Sequence, residues 1–148
     1  MTAPQLRAQA SIGIGILSQL FQNRLARLLA PVGLNYNQLA LLTHLSRAAE
    51  PASISELAEA LEINQPGITK MVRRLEDARM VAIAGVEGDR RRRVVTITDG
   101  GRVALEGAMV AIDADNVGWF DGWTDEETAD FADKVFRLVG WLDANRLA

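Results

Sequence analysis

Apolar positions along this chain recur first with a helical period and then, briefly, with that of strands. Leu17, Leu20, Phe21, Leu25, Leu28 and Leu29 repeat at three- and four-residue steps and predict a helix over Leu6–Leu29. Gly13 and Gly15 fall in its first half, and each costs about 1 kcal/mol inside a helix, so an irregular start is expected. Pro31 and Gly33 end it. Three further starts carry a short polar side chain with Gln or Glu three positions on: Asn35 with Gln38, Ser53 with Glu56, and Thr124 with Glu127. In each pair both side chains can satisfy free backbone N–H groups. The pairs open helices running to about Arg47, Leu61 and Asn145. A fourth internal helix spans Asn64 to about Ala78, capped by Asn64 or Gln65, with Pro66 in the first turn. Its apolar face is Ile68, Met71, Val72 and Leu75. Thr69, Lys70, Arg73 and Arg74 lie largely opposite.

The period then changes. Val81–Val86 and the β-branched run Val94–Thr98 flank a Gly88 turn and predict a hairpin. Thr98 can cap a helix from Asp99 to Val117, and Gly118 and Gly122 mark a break before the last helix. The order is four helices, two strands and two helices. A short helix, a turn, a basic helix and a hairpin at its centre make a winged helix-turn-helix. The expected fold is mainly α with a small β-hairpin wing, flanked by N- and C-terminal dimerisation helices.

Composition sharpens this. The 148 residues suit one domain. There are no cysteines, which excludes disulfides and thiolate sites and fits a cytoplasmic setting. Met1–Ala10 has one cation and no sustained apolar run, so no signal peptide is expected. No stretch approaches the roughly 18 apolar residues of a membrane span, and no membrane partner is expected. Net charge is −3, which at first disfavours a nucleic-acid partner. Yet Gln65–Arg93 holds eight of the 16 cations against four acidic residues. Local concentration matters more than the total for a phosphate-binding surface.

A recognition helix presents its N-terminal residues to base edges in the major groove. Here Gln65 can pair with adenine, Thr69 can touch a thymine methyl or a base acceptor, and Lys70 or Arg73 can reach guanine or a phosphate. Pro66 and Gly67 have little side chain and would let the backbone approach DNA. The Ser53 and Ser55 hydroxyls, at the start of the preceding helix, suit a phosphate oxygen. Taken alone, the basic face with Arg73 and Arg74 reads equally well as a solvated surface. The hairpin decides the matter. Arg90, Arg91, Arg92 and Arg93 follow Asp89 at the tip of a turn; four adjacent cations repel one another, whereas arginine gains in a narrow minor groove. Arg91 is the best candidate to enter it, held beforehand by a charge-assisted hydrogen bond that it donates to Asp89. Arg93 can bind an adjacent phosphate or tie the wing to the body.

Ser53–Ala58, Gly67–Glu76, Gly88–Arg93 and Thr98–Gly101 together resemble the MarR family, and Asp89 with Arg91 matches its Asp-x-Arg wing signature. The resemblance covers nearly the whole chain. It implies one MarR-like domain over 1–148, with 1–34 and 102–148 as dimerisation helices and 35–101 as the DNA-binding lobe. It implies a homodimer on double-stranded DNA at a near-palindromic operator, acting as a repressor and released by a small anionic or aromatic effector. On that analogy alone, Tyr36 and His44 line an effector pocket. Arg79 departs from the pattern, since the family usually has glycine in that turn; Arg79 must take a left-handed conformation at some strain, or the turn must cap otherwise.

The dimer also has a case of its own. Phe131, Val135, Leu138, Val139 and Leu142 form an apolar stripe near one end of the chain, and the Leu17–Leu29 stripe lies near the other. A winged lobe needs neither. A lone histidine, His44, supports neither a zinc site nor a catalytic triad, so no metal, no cofactor and no enzyme activity are expected. The acidic run Asp113–Asp130 reads as a solvated surface. Trp119, Phe120, Trp123 and Trp141 read as core or interface. The rival reading is a helical dimer acting through protein contacts, with no sequence-specific DNA binding.

Overall fold

The structure, a computed structural model, describes residues Met1–Ala148. Helix α1 runs Ala3–Leu29 without a break, so the irregular start expected at Gly13 and Gly15 does not occur. A capping box not anticipated from the sequence helps to offset the two glycines. Thr2 N–H donates to Gln5 Oε1 at 2.8 Å, and Gln5 N–H donates to Thr2 Oγ1 at 3.5 Å. A 3-10 turn, Ala30–Val32, ends at Gly33 in the left-handed region (φ 79°).

The expected caps form. Asn35 opens α2 (Tyr36–Arg47), Ser53 opens α3 (Ile54–Leu61) and Thr124 opens α6 (Asp125–Ala144), each as a reciprocal box. Helix α4 spans Gln65–Asp77, and of the two candidate caps Asn64 serves: its Oδ1 accepts from Gly67 N–H at 2.7 Å. Helix α5 spans Asp99–Trp119, and Thr98 Oγ1 accepts from Gly101 N–H at 3.1 Å. Gly101 is required there, because a Cβ would stand 2.0 Å from the Met80 carbonyl oxygen.

Strands β2 (Val81–Val86) and β3 (Asp89–Ile97) make the hairpin. A two-residue strand β1, Ala52–Ser53, joins it in the antiparallel order β1-β3-β2. It pairs Ala52 with Val95 and Ser53 with Val94. Two residues carry no readable period, so the sequence gives no sign of it. Its effect is to fasten the start of α3 to the base of the wing.

Leu25 and Leu29 of α1, Leu41 and Leu42 of α2, Leu57 of α3, Ile68, Val72 and Leu75 of α4, and Val95 of β3 fill one core. Burying each such side chain contributes about 2 kcal/mol. The chain divides into two compact units, Met1–Ile112 and Asp113–Ala148. In the second, Trp123 meets Phe120 and Phe131 edge-on at 5.5 and 5.4 Å, and Trp119 Nε1 donates to Asp115 Oδ2 at 2.6 Å. Trp141, expected as core or interface, is 61% exposed and so is not core. No residue of α6 is buried. No helix is long and apolar enough to cross a membrane.

Candidate nucleic-acid interface

The turn between α3 and α4 is set by Glu62, a non-glycine residue at φ 52°. Ile63 N–H reaches back to the Ala58 carbonyl at 3.1 Å and Glu62 N–H to Glu59 at 3.3 Å, closing α3 with a Schellman motif. This fixes where α4 begins. Gln65, Pro66, Lys70, Arg73 and Arg74 are exposed and, with the half-buried Thr69 and with Asp77, line one shallow concavity of about 600 Å³ along α4. Gly67 also meets a local packing requirement. A Cβ there would stand 2.9 Å from both Asn64 Oδ1 and Ile63 Cγ2, so the helix cap requires the glycine. Ser53 departs from expectation. It is 8% exposed, and its Oγ accepts from Glu56 N–H at 3.2 Å and lies 3.2 Å from Ser55 Oγ. Ser55 is the exposed hydroxyl of the two.

The wing differs from its expected form. Val86 pairs with Asp89, so Glu87–Gly88 is a two-residue turn, with Gly88 at φ 82°. The next pair is Gly85 with Arg93. Arg90, Arg91 and Arg92 therefore lie past the tip, as a bulge in β3 with no residues opposite. Asp89 Oδ1 does bond Arg91, but through its backbone N–H (3.0 Å) rather than the guanidinium. Arg93 does not tie the wing to the body: its Nη1 donates to the carbonyls of Arg90 (3.1 Å) and Arg92 (3.3 Å). Arg92 makes the tie, with Nη2 3.5 Å from Glu56 Oε1. On the other strand, Ile83 N–H donates to Glu76 Oε2 of α4 at 3.2 Å.

A cleft of about 370 Å³ separates α4 from the wing, lined among others by Thr69, Arg73, Glu76, Gly85 and Arg93. Thr69 and Arg73 line both concavities. Thr69 and Arg73 thus connect the polar face of α4 to Arg93 at the base of the wing bulge. The Arg79 turn resolves as the strained alternative. Arg79 sits at φ 60°, with its N–H on the Glu76 carbonyl (2.8 Å) and Met80 N–H on Leu75 (2.9 Å).

Tyr36 and His44 line a third cavity, of about 610 Å³, walled by Phe21, Leu25, Leu39, Met109 and Ile112. Sequence reasoning missed Arg47, which brings the only cationic side chain to it. The signal was present, for Arg47 lies three positions after His44 on the same helical face.

A basic helix seated against an arginine-bearing hairpin, on a helix-turn-helix lobe, defines a winged helix-turn-helix protein. Comparison with known proteins agrees. The MarR family model matches residues 32–92. The transcriptional activatory protein BadR of Rhodopseudomonas palustris is 38% identical over 76 residues, a match spanning 50% of this chain and 43% of BadR. The HTH-type transcriptional repressor MdtR of Bacillus subtilis is 26% identical over 93% of this chain and 88% of its own. Among solved structures, the YusO protein of B. subtilis is similar at 25% identity and a TM-score of 0.70, covering 95% of this chain and 99% of that one. Over its helix-turn-helix lobe the chain is thus similar to MarR-family proteins.

Proposed function

We propose that this chain is a sequence-specific DNA-binding transcriptional regulator, acting as a homodimer on a near-palindromic operator and repressing by competition with the transcription machinery. The observation that carries the reading is the continuity of the α4 face with the wing through Thr69 and Arg73. A major-groove reader and a minor-groove reader stand side by side on one lobe. Gln65, Thr69, Lys70 and Arg73 read or position on the major groove; Arg91 enters the minor groove. Repression is favoured over activation because the resemblance to the repressor MdtR runs along 93% of the chain, that to the activatory BadR along half of it.

Residues 1–34 and 102–148 supply the dimer contacts and 35–101 the DNA-binding lobe. Their exposed apolar side chains, such as Leu17, Leu20 and Leu142, support this. The cavity at Tyr36, His44 and Arg47 has the volume of a small-molecule site. Its apolar walls and single cation suit a small anionic or aromatic effector that releases the DNA. Nothing in this reading calls for catalysis, and the setting is cytoplasmic.

Selection of bound sequences from a random DNA pool at near-physiological salt tests the proposal. An inverted repeat with half-sites about 10 base pairs apart is expected. Uniformly weak, salt-sensitive binding without a motif would overturn it in favour of a dimer working through protein contacts.

A further inference from the structure

Arg90–Arg92 occupy β3 between the pairs Val86–Asp89 and Gly85–Arg93. A bulge of this kind forgoes ladder hydrogen bonds, and three adjacent cations repel one another. Neither feature would hold the segment in one shape. Arg93 does. Its Nη1 donates to the carbonyls of Arg90 (3.1 Å) and Arg92 (3.3 Å), the first and last residues of the bulge. Asp89 Oδ1 secures the Arg91 N–H between them. Gly85 pairs with Arg93, and a Cβ there would stand 3.4 Å from Arg93 Nη1, an ordinary contact distance.

We propose that Arg93 is a positioning residue of the wing, stapling the bulge so that Arg91 is presented to DNA in one fixed geometry. The proposal rests on the DNA-binding reading above. The four arginines adjacent in sequence are not equivalent: Arg93 shapes, Arg92 anchors to Glu56, and Arg91 reads.

The staple is tested first on the free protein, by ¹⁵N relaxation at the Arg90–Arg92 amides. In Arg93→Ala their order parameters are expected to fall from rigid values to below about 0.6; unchanged values overturn the proposal whatever the protein binds. Affinity for the selected DNA site is then measured for Arg91→Ala, Arg93→Ala and the double variant. Action through the bulge predicts a double variant within about twofold of Arg91→Ala alone, whereas multiplied single losses mean an independent DNA contact and overturn it. Absence of any sequence preference in the wild-type protein would sink the regulator reading instead, with the relaxation result still deciding the staple.

Discussion

Glu56 at the start of α3 and Arg92 in the wing face each other across 3.5 Å, while the second oxygen of the same carboxylate accepts the Ser53 backbone N–H at 3.0 Å. One side chain therefore caps the helix-turn-helix and braces the wing. Both side chains of the pair are about half exposed, so the ion pair is worth well under about 1 kcal/mol, and the cap about 1 kcal/mol. Glu56→Gln, which keeps an acceptor for Ser53, is expected to lose at most about 0.5 kcal/mol in urea unfolding. Glu56→Ala is expected to lose about 1 kcal/mol or more. Equal losses in the two variants would show that the ion pair, not the cap, carries the effect.

Arg79 holds the turn after α4 at φ 60°. For a residue with a Cβ that conformation costs about 1–2 kcal/mol. Glycine relieves it but restores roughly 0.4–1 kcal/mol of unfolded-chain freedom. Arg79→Gly is therefore expected to stabilise by about 0.5–1 kcal/mol, raising Tm by about 2 °C. The bond from Thr98 Oγ1 to the Arg79 carbonyl, 2.6 Å, is to backbone and survives the change. A lower Tm would mean that the arginine side chain itself supports the turn.

The helix starts were legible in the sequence because a capping box is a local device: Asn35 with Gln38 and Thr124 with Glu127 decide their ends within four residues. What the sequence hid was decided by pairing across the chain. Strand β1 exists only because Val94 and Val95 offer Ser53 and Ala52 an edge. The bulge exists because Arg93, rather than Arg90, pairs with Gly85, a choice invisible in a run of like residues. At Gly67 the sequence did not reveal the local requirement for glycine, since the contacts that impose it come from Ile63 and Asn64 of the preceding turn.

Arg91 and Lys70 are both exposed, so their effects on binding separate cleanly from folding. Arg91→Ala is expected to weaken operator binding by about 1–3 kcal/mol with an unchanged urea midpoint. Lys70→Ala, with Lys70 on a phosphate, is expected to reduce the slope of log K against log salt by about 0.9. An unchanged slope would remove Lys70 from the phosphates and leave it the base-reading alternative.

Helix α6 carries Val135, Leu138, Val139 and Leu142 on one face at 39, 40, 50 and 53% exposure and buries none of its residues. A protein that stays monomeric rarely exposes so large an apolar face, and the proposed dimer would cover it. Leu142→Asp would place a charge in that contact at a desolvation cost of several kcal/mol. Because Leu142 is exposed within one chain, the change should leave the fold of the chain itself intact. The wild type is expected to sediment at twice the chain mass of 16.1 kDa, and Leu142→Asp to shift toward the monomer. Operator affinity should fall with it by at least about a hundredfold, since two half-sites then no longer engage one tethered pair of lobes. A wild-type chain sedimenting as a monomer at micromolar concentration would refute the dimer, and with it the expectation that the selected DNA site is an inverted repeat.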